Sequence, residues 1–416
     1  MKQSKLFTKT RKEAPADETA KNAQLLIRAG YIHKEIAGAY MFLPLALRVL
    51  DNITKIVREE MDAVGGMEMR STALQARESW EATGRWDDQV LDVWFKTELK
   101  NGTEVGLAST HEEPLTNMMK NYIQSYKDLP TYVYDVRTIF RNELRVKSGL
   151  MRGREFFWKA LYSFSKDKEE HDVFYNKMKE AYNNVFQRVG LGDATLMTFA
   201  SGGSFSQYSH EFQTISDAGE DIIYVDEEKN IAVNKEVYTD EVLADLGLEK
   251  DSLVEKKAIE VGNIFSLAEK FSEPLDLLYT DQDGNRKPVF MGSYGIGISR
   301  LLGTIAELHS DDKGLVWPES IAPFRVHVVT FGKNENVHRE AESLYHDLLN
   351  AGIDVLFDDR DAGPGQKLND ADLIGIPYRV VVSERAHENG GVEITNRKTG
   401  EVKYIDPARV VAEFSE

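Results

Sequence analysis

From Leu47 to Met61 the apolar residues Leu47, Leu50, Ile53, Ile56, Val57 and Met61 recur at helical spacing, and Gly65-Gly66 follows them. Residues 18 to 62 therefore read as a helix, a short apolar stretch broken at Gly38 and Pro44, and this longer helix. From Met67 to about Phe164 the rhythm changes. Extended runs such as Val90-Leu-Asp-Val-Trp-Phe95, Thr131-Tyr-Val-Tyr134 and Phe156 to Phe164 alternate with charged turns, the texture of an antiparallel sheet carrying helices. Residues 167 to 189 predict a helix ended by Gly190-Leu-Gly192, and the acidic stretch Val242 to Glu260 reads as a small helical excursion. After Trp317-Pro-Glu-Ser-Ile-Ala-Pro-Phe324 the pattern becomes strand 326–330, helix 336–351, strand 354–358, helix 367–374 and strand 378–383. That alternation predicts an α/β domain with a largely parallel sheet and a boundary near 320: an α+β domain over 1–320, then an α/β domain over 321–416.

Composition narrows the classes. With 42% hydrophobic and 29% charged residues the chain is an ordinary globular one, and no apolar run approaches the roughly 20 residues of a membrane span. The start, Met1 to Arg11, has no signal-like apolar core, so a cytoplasmic location without membrane association is expected. The absence of cysteine removes disulfides, thiolate metal sites and cysteine nucleophiles, and no resident metal site is expected. A net charge of −18 argues against a surface that coats nucleic acid throughout.

Against that background Arg137, Arg141, Arg145, Lys147, Arg152, Arg154 and Lys159 gather in one short interval, opposed only by Glu143 and Glu155. Two readings stand: a cleft for a polyanion, or a solvated hairpin with surface arginines. The turn Gly295-Ile-Gly-Ile-Ser-Arg300 offers G-x-G-x-x-R where a dinucleotide fingerprint needs a third glycine, deep in the chain rather than opening a βαβ unit.

Phe140-Arg-Asn-Glu143 with Arg152-Gly-Arg-Glu-Phe156 resembles motif 2 of class II aminoacyl-tRNA synthetases, and Gly295 to Arg300 resembles their motif 3. Thr110-His-Glu-Glu113, Leu74, Trp80, Thr83-Gly-Arg-Trp86, Ser209-His-Glu-Phe212, Gly219-Glu-Asp221 and Glu260-Val-Gly-Asn-Ile-Phe265 are similar to the prolyl branch over nearly the whole chain. The resemblance implies activation of L-proline by ATP with Mg2+, transfer to tRNA(Pro), and a homodimer. It implies catalytic roles for Arg141, Glu143 and Arg300, with Arg141 bridging the carboxylate and the α-phosphate. Arg152 or Arg154 would hold the outer phosphates, while Phe156 and Arg300 would cover adenine above Gly295 and Gly297. Thr110 and Glu112 would take the substrate amine, with Trp158, His210 and Ser293 in the same substrate pocket. Thr110 and Glu113 also stand at capping-box spacing. Asp358 to Lys367 resembles an anticodon-binding segment, in which Arg360 and Lys367 would touch tRNA; Asp359 and Arg360 equally suit a structural turn.

Some positions depart from the pattern. Ala160 stands where motif 2 carries an acid, Thr72 where motif 1 closes with proline, Ala268 where glycine is usual, and Ser293 where cysteine is common. A weakened activity is expected from Ala160, to be raised by Ala160→Asp, and a non-catalytic paralogue binding amino acid, ATP or tRNA is the alternative. The interval Phe164 to Met291 leaves no room for the long editing insertion of many bacterial relatives.

Overall fold

The computed structural model describes residues 1–146, 148–202 and 208–415, and Lys147 of the basic interval lies outside them. The chain divides into two compact units. One comprises residues 36–39 and 54–304, the other residues 1–35, 40–53 and 305–416.

The first unit is built on a nine-stranded sheet. Its strands are β1 (Met67–Glu68), β2 (Thr131–Phe140), β3 (Glu155–Ser165), β4 (Thr195–Ser201), β5 (Tyr208–Ile215), β6 (Asp221–Asp226), β7 (Ile231–Asn234), β8 (Val254–Ala268) and β9 (Phe290–Gly297). The spatial order is β5-β4-β7-β6-β8-β9-β3-β2-β1, with β5 also pairing β8. Pairing is antiparallel except for β1 with β2 and β7 with β4, as the alternating pattern predicts.

Register fixes which side chains share a face. Ala160 of β3 lies directly opposite Asp135 of β2 and Gly295 of β9, and Gly295 lies opposite Asn263 of β8. Because successive strand residues point to opposite faces, Trp158, Ala160 and Tyr162 look one way and Lys159 and Leu161 the other. The second face is covered by α2 (Lys168–Arg188), which follows α1 (Glu112–Met119) in the chain. Asp167 caps α2 by accepting the Glu170 N–H, and the helix buries Phe174, Met178, Tyr182, Val185 and Phe186. Burial of such side chains contributes roughly 1.5–3 kcal/mol each, which clamps the sheet from below and leaves its other face for chemistry. Within this layer Lys159 is fully buried, its Nζ donating to Tyr182 Oη at 2.7 Å and Tyr294 O at 3.0 Å. Burial drives its ammonium well below the ordinary lysine range.

The second unit has a five-stranded sheet of β10 (Val326–Thr330), β11 (Val355–Asp358), β12 (Tyr378–Val382), β13 (Val392–Asn396) and β14 (Val402–Ile405), ordered β11-β10-β12-β13-β14. The first three are parallel, the last two antiparallel. Val326–Thr330 is buried at every position, as a central parallel strand should be. Helices α4 (Glu335–Asn350) and α5 (Pro364–Ile374) fall where the βαβαβ pattern predicts, after α3 (Ile298–Leu308). Gly375 ends α5 at φ +80°, where an added Cβ would strike the Leu315 backbone.

Several expectations are corrected. The stretch between the first two helices is a hairpin, Ile32–Ile36 and Ala39–Phe42, turning at Gly38 with φ +81°. The helix predicted around Leu47 to Met61 runs Pro44–Ala63 and buries Leu50, Ile53, Ile56, Val57 and Met61, whereas Leu47 is exposed. Val90 to Phe95 is turn, not strand, because Trp94 folds into a cluster with Trp80 and Trp86. The helical excursion is confined to Asp240–Asp245 and a short 3-10 turn, and from Val254 the chain is the long strand β8.

Candidate active site

Two cavities lie side by side on the open face of the large sheet. The first, about 280 Å3, is lined by Thr110, Glu112, Arg141, Trp158, Ser293 and Gly295 among others, with Ala160, Tyr162 and Phe265 also in its wall. The second, about 320 Å3, shares Arg141 and Glu143 and adds Arg152, Glu211, Glu260 and Arg300. A wider groove of about 680 Å3 continues along Arg145, Arg152 and Arg154.

In the first cavity acceptors converge. Thr110, just before α1, donates its hydroxyl to the Glu112 carboxylate. Tyr162, reaching up from β3, accepts the His111 N–H at 3.2 Å and donates to Glu112 Oε1 at 3.3 Å. The capping-box expectation is therefore corrected: His111 is the N-cap, and the Thr110 hydroxyl is turned to Glu112 instead. Arg85 Nη1 lies 3.3 Å from Glu112 Oε2 and 3.0 Å from Glu113 Oε1, and Thr83 donates to Glu113 at 2.7 Å. Burial alone would raise Glu112, but Arg85 and the Thr110 hydroxyl outweigh it and hold that carboxyl below its ordinary range. Glu113 goes the other way: burial pushes it up to about 7, with the Glu112 charge adding to the rise and Arg85 opposing it.

Arg141 leaves the end of β2 and sets its guanidinium over the rings of Phe156 and Trp158, 5.4 and 5.7 Å from their centroids. Among the described residues its guanidinium makes no hydrogen bond, so its donor fork is available at the junction of the two cavities. Arg300, in the first turn of α3, is held by Met151 O at 2.7 Å, Glu260 O at 2.6 Å and the Glu260 carboxylate at 3.2 Å. Cβ atoms at Gly295 and Gly297 would collide with Trp158 and Arg300 respectively, so these glycines give the two side chains their places.

Arg152 pairs with Glu143 and Glu220 at 3.2 Å each, while the Arg154 guanidinium donates to backbone carbonyls, Glu143 O and Ala37 O. Arg137 and Lys159 do not belong to the basic cleft: both are buried, Arg137 against His111 and Asp135, Lys159 on the opposite face. His111 is correspondingly neutral, lowered to about 4 by burial and the Arg137 charge.

Two expected contacts are corrected. His210 does not reach the substrate cavity. It lies opposite Ile264, whose neighbours Asn263 and Phe265 line that cavity, so it faces the other side and hydrogen-bonds Tyr175 of α2 at 2.8 Å. Lys367 is 1% exposed and donates to Thr330 O and Asp358 O, which withdraws it from any RNA. Arg360 is engaged by Asp358 at 2.6 Å and Asp370 at 2.9 Å. Conversely, Tyr162 and Arg85 enter the site without having been singled out. A period-two reading of Trp158 and Ala160 would have led to Tyr162.

Ala160 presents only a methyl group, yet a carboxylate stands directly across the ladder. Asp135 is 4% exposed, accepts the Ser71 N–H at 2.7 Å, and lies 3.6 Å from Arg137.

Comparison with known proteins agrees with this layout. Residues 95–309 match the family described as the tRNA synthetase class II core domain (G, H, P, S and T), and residues 325–416 match an anticodon binding domain. The chain is 37% identical to the proline–tRNA ligase of Maricaulis maris (strain MCS10), over 100% of this chain and 99% of the relative. It is 36% identical to that of Rickettsia bellii (strain OSU 85-389), over 97% and 96%. In fold it is similar to the Giardia lamblia prolyl-tRNA synthetase solved in complex with prolyl-adenylate, with a TM-score of 0.76, 21% identity, and coverage of 93% of this chain and 74% of that one. The Cryptosporidium parvum enzyme complexed with L-proline and AMP gives a TM-score of 0.75 at 17% identity, over 94% and 73%.

Proposed function

Because the chain belongs to the proline–tRNA ligase family of class II synthetases, we propose that its adjoining cavities seat L-proline and ATP and join them as prolyl-adenylate. The observation that carries this reading is the Arg141 guanidinium, poised between an amine-accepting pocket and a cavity rich in arginine and carboxylate. Proline's secondary ammonium has two N–H donors, and Thr110 with Glu112 offers two acceptors. A proline carboxylate then faces Arg141, whose fork can span it and the α-phosphate.

The carboxylate oxygen attacks the α-phosphorus, a C–O–P linkage forms, and the bond to the β-phosphate oxygen breaks to release pyrophosphate. Arg141 stabilises the charge that builds on the α-phosphate during this exchange. A terminal ribose hydroxyl of tRNA(Pro) next attacks the prolyl carbonyl and AMP leaves. Trp158 and Ser293 wall the proline pocket, Phe156 and Arg300 flank adenine, Gly295 and Gly297 keep the way clear, and Arg152 meets the outer phosphates. Glu143 holds Arg152 in place, and Arg154 acts as a strut for the loop.

Magnesium fits this arrangement as an ion arriving with the triphosphate. Burial and the Glu260 charge push Glu211 up to about 8, so the second cavity holds more carboxylate than it can comfortably ionise. Glu211, Glu260 or Asp221 would hold the cation beside the phosphates, and it would supply charge neutralisation there. We also propose a catalytic domain over 1–320, an anticodon-binding domain over 321–416, a homodimer and a cytoplasmic site of action. Among the described residues no helix is long and apolar enough to cross a membrane.

Proline-dependent ATP–pyrophosphate exchange tests the reading, with alanine, threonine and no amino acid as controls. Exchange with proline is expected. Silence from folded protein that still binds ATP would turn the conclusion to a non-catalytic paralogue.

A further inference from the structure

We infer that Arg85 is a positioning and specificity-determining residue of the amine pocket: it balances one of two buried carboxylates, leaving the other for a cationic amine. This rests on the reading of Thr110 and Glu112 as the amine site.

Glu112 and Glu113 are consecutive and 6% and 0% exposed. Arg85 is the guanidinium in hydrogen-bond contact with both. Glu112 is ionised and Glu113, pushed up to about 7, is partly so, which against one cation in contact leaves a partial net negative charge at neutral pH, and an unpaired buried charge is costly. Lys270 and Arg141 also act coulombically on Glu113 and Glu112 respectively. A substrate ammonium at Thr110 and Glu112 would complete the balance, whereas a neutral amine would not. The pocket thus selects the protonated form through Arg85, which lines the same cavity but has its guanidinium engaged by the two carboxylates.

The surrounding packing fixes the guanidinium. It lies over the rings of Trp80 and Phe271, 4.9 and 5.3 Å from their centroids. The Arg85 carbonyl accepts the Trp94 indole N–H at 2.9 Å, and Trp80, Trp86 and Trp94 form one cluster around this segment. Three of the five tryptophans therefore report on the same wall.

The test is a double-mutant cycle of Arg85→Gln and Glu113→Gln, read by proline-dependent pyrophosphate exchange, proline titration of tryptophan fluorescence and thermal unfolding. Arg85→Gln is expected to raise the KM for proline about 100-fold with the KM for ATP changed less than twofold. Adding Glu113→Gln should recover at least about tenfold, because Glu112 then ionises without a like charge beside it. A residue that merely braces the wall gives losses that add, so a double variant as poor as Arg85→Gln or poorer overturns the inference. If Arg85→Gln does not fold, Arg85→Lys decides. It keeps the charge but loses the planar fork and the stacking on Trp80 and Phe271, so a loss of about tenfold for proline is expected, well short of the roughly 100-fold expected for the uncharged variant; a loss near 100-fold overturns the charge argument. Wild type that fails to bind proline at all would instead sink the pocket reading beneath it.

Discussion

Replacing Tyr162 with Phe removes one oxygen from the floor of the amine pocket and nothing else. That oxygen is buried, donates to Glu112 Oε1 at 3.3 Å, accepts the His111 N–H at 3.2 Å and lies 3.3 Å from Thr110 Oγ1. A hydrogen bond to a charged group contributes about 1.5–3 kcal/mol, and contacts of this length belong at the lower end. About 1.5 kcal/mol corresponds to roughly a tenfold fall in kcat/KM for proline. The loss should sit in the KM for proline, since the hydroxyl orients a binding group and lies outside the nucleotide cavity. The orphaned His111 N–H should cost about 1 kcal/mol of stability besides. Pyrophosphate exchange, varied separately in proline and ATP, supplies the measurement. A change below twofold for proline, or an equal change for ATP, would mean that Tyr162 does not orient Glu112 and that the amine site has been misplaced.

Ala160→Asp is expected to lower activation and thermal stability, the reverse of the sequence-based expectation, because it sets a like charge directly opposite Asp135. Combining it with Asp135→Asn should restore both, and a faster Ala160→Asp single variant would contradict the register argument. Glu211, pushed up to about 8 by burial and Glu260, keeps its proton in the folded chain while an ordinary glutamate has released it. The contribution of Glu211 to stability should therefore fall as pH rises from about 5 to 8, and Glu211→Gln should make the stability difference between the two pH limits more positive than in the parent chain in denaturant titrations; an unchanged difference would show that Glu211 ionises normally. Alanine should support measurable exchange, since a missing methylene group is worth only roughly 1–3 kcal/mol of discrimination. The chain itself should not hydrolyse Ala-tRNA; efficient clearance by the purified protein would argue for an editing site in the first unit.

Legibility followed the physics of burial. The second unit could be read because its buried parallel strands are continuous apolar runs, and α2 because an Asp cap, helical spacing and Gly190 mark it. Strand β8 was hidden because its opening residues, Val254-Glu-Lys-Lys, are largely exposed and lack the apolar alternation that marks a half-buried strand. Arg141, Thr110 and Glu112 converge as their motifs suggest. Motif spacing, however, carries no register, and one residue of phase puts His210 on the far face. Lys367 looked like an RNA contact because charge in a sequence says nothing of burial, and Asp358 with the Thr330 carbonyl had already claimed it.

The ladder between β2 and β3 has a wider consequence for how such a site can change over time. Residues facing each other across a rung occupy one place in space but two places in the chain. An acidic group can therefore migrate between strands by two independent substitutions while staying within the same rung of the sheet. Ala160 with Asp135 has the form of such an exchange. A motif scanned along a single strand scores it as a loss. The unit of inheritance at such a wall is the rung, and the residue letter records only half of it.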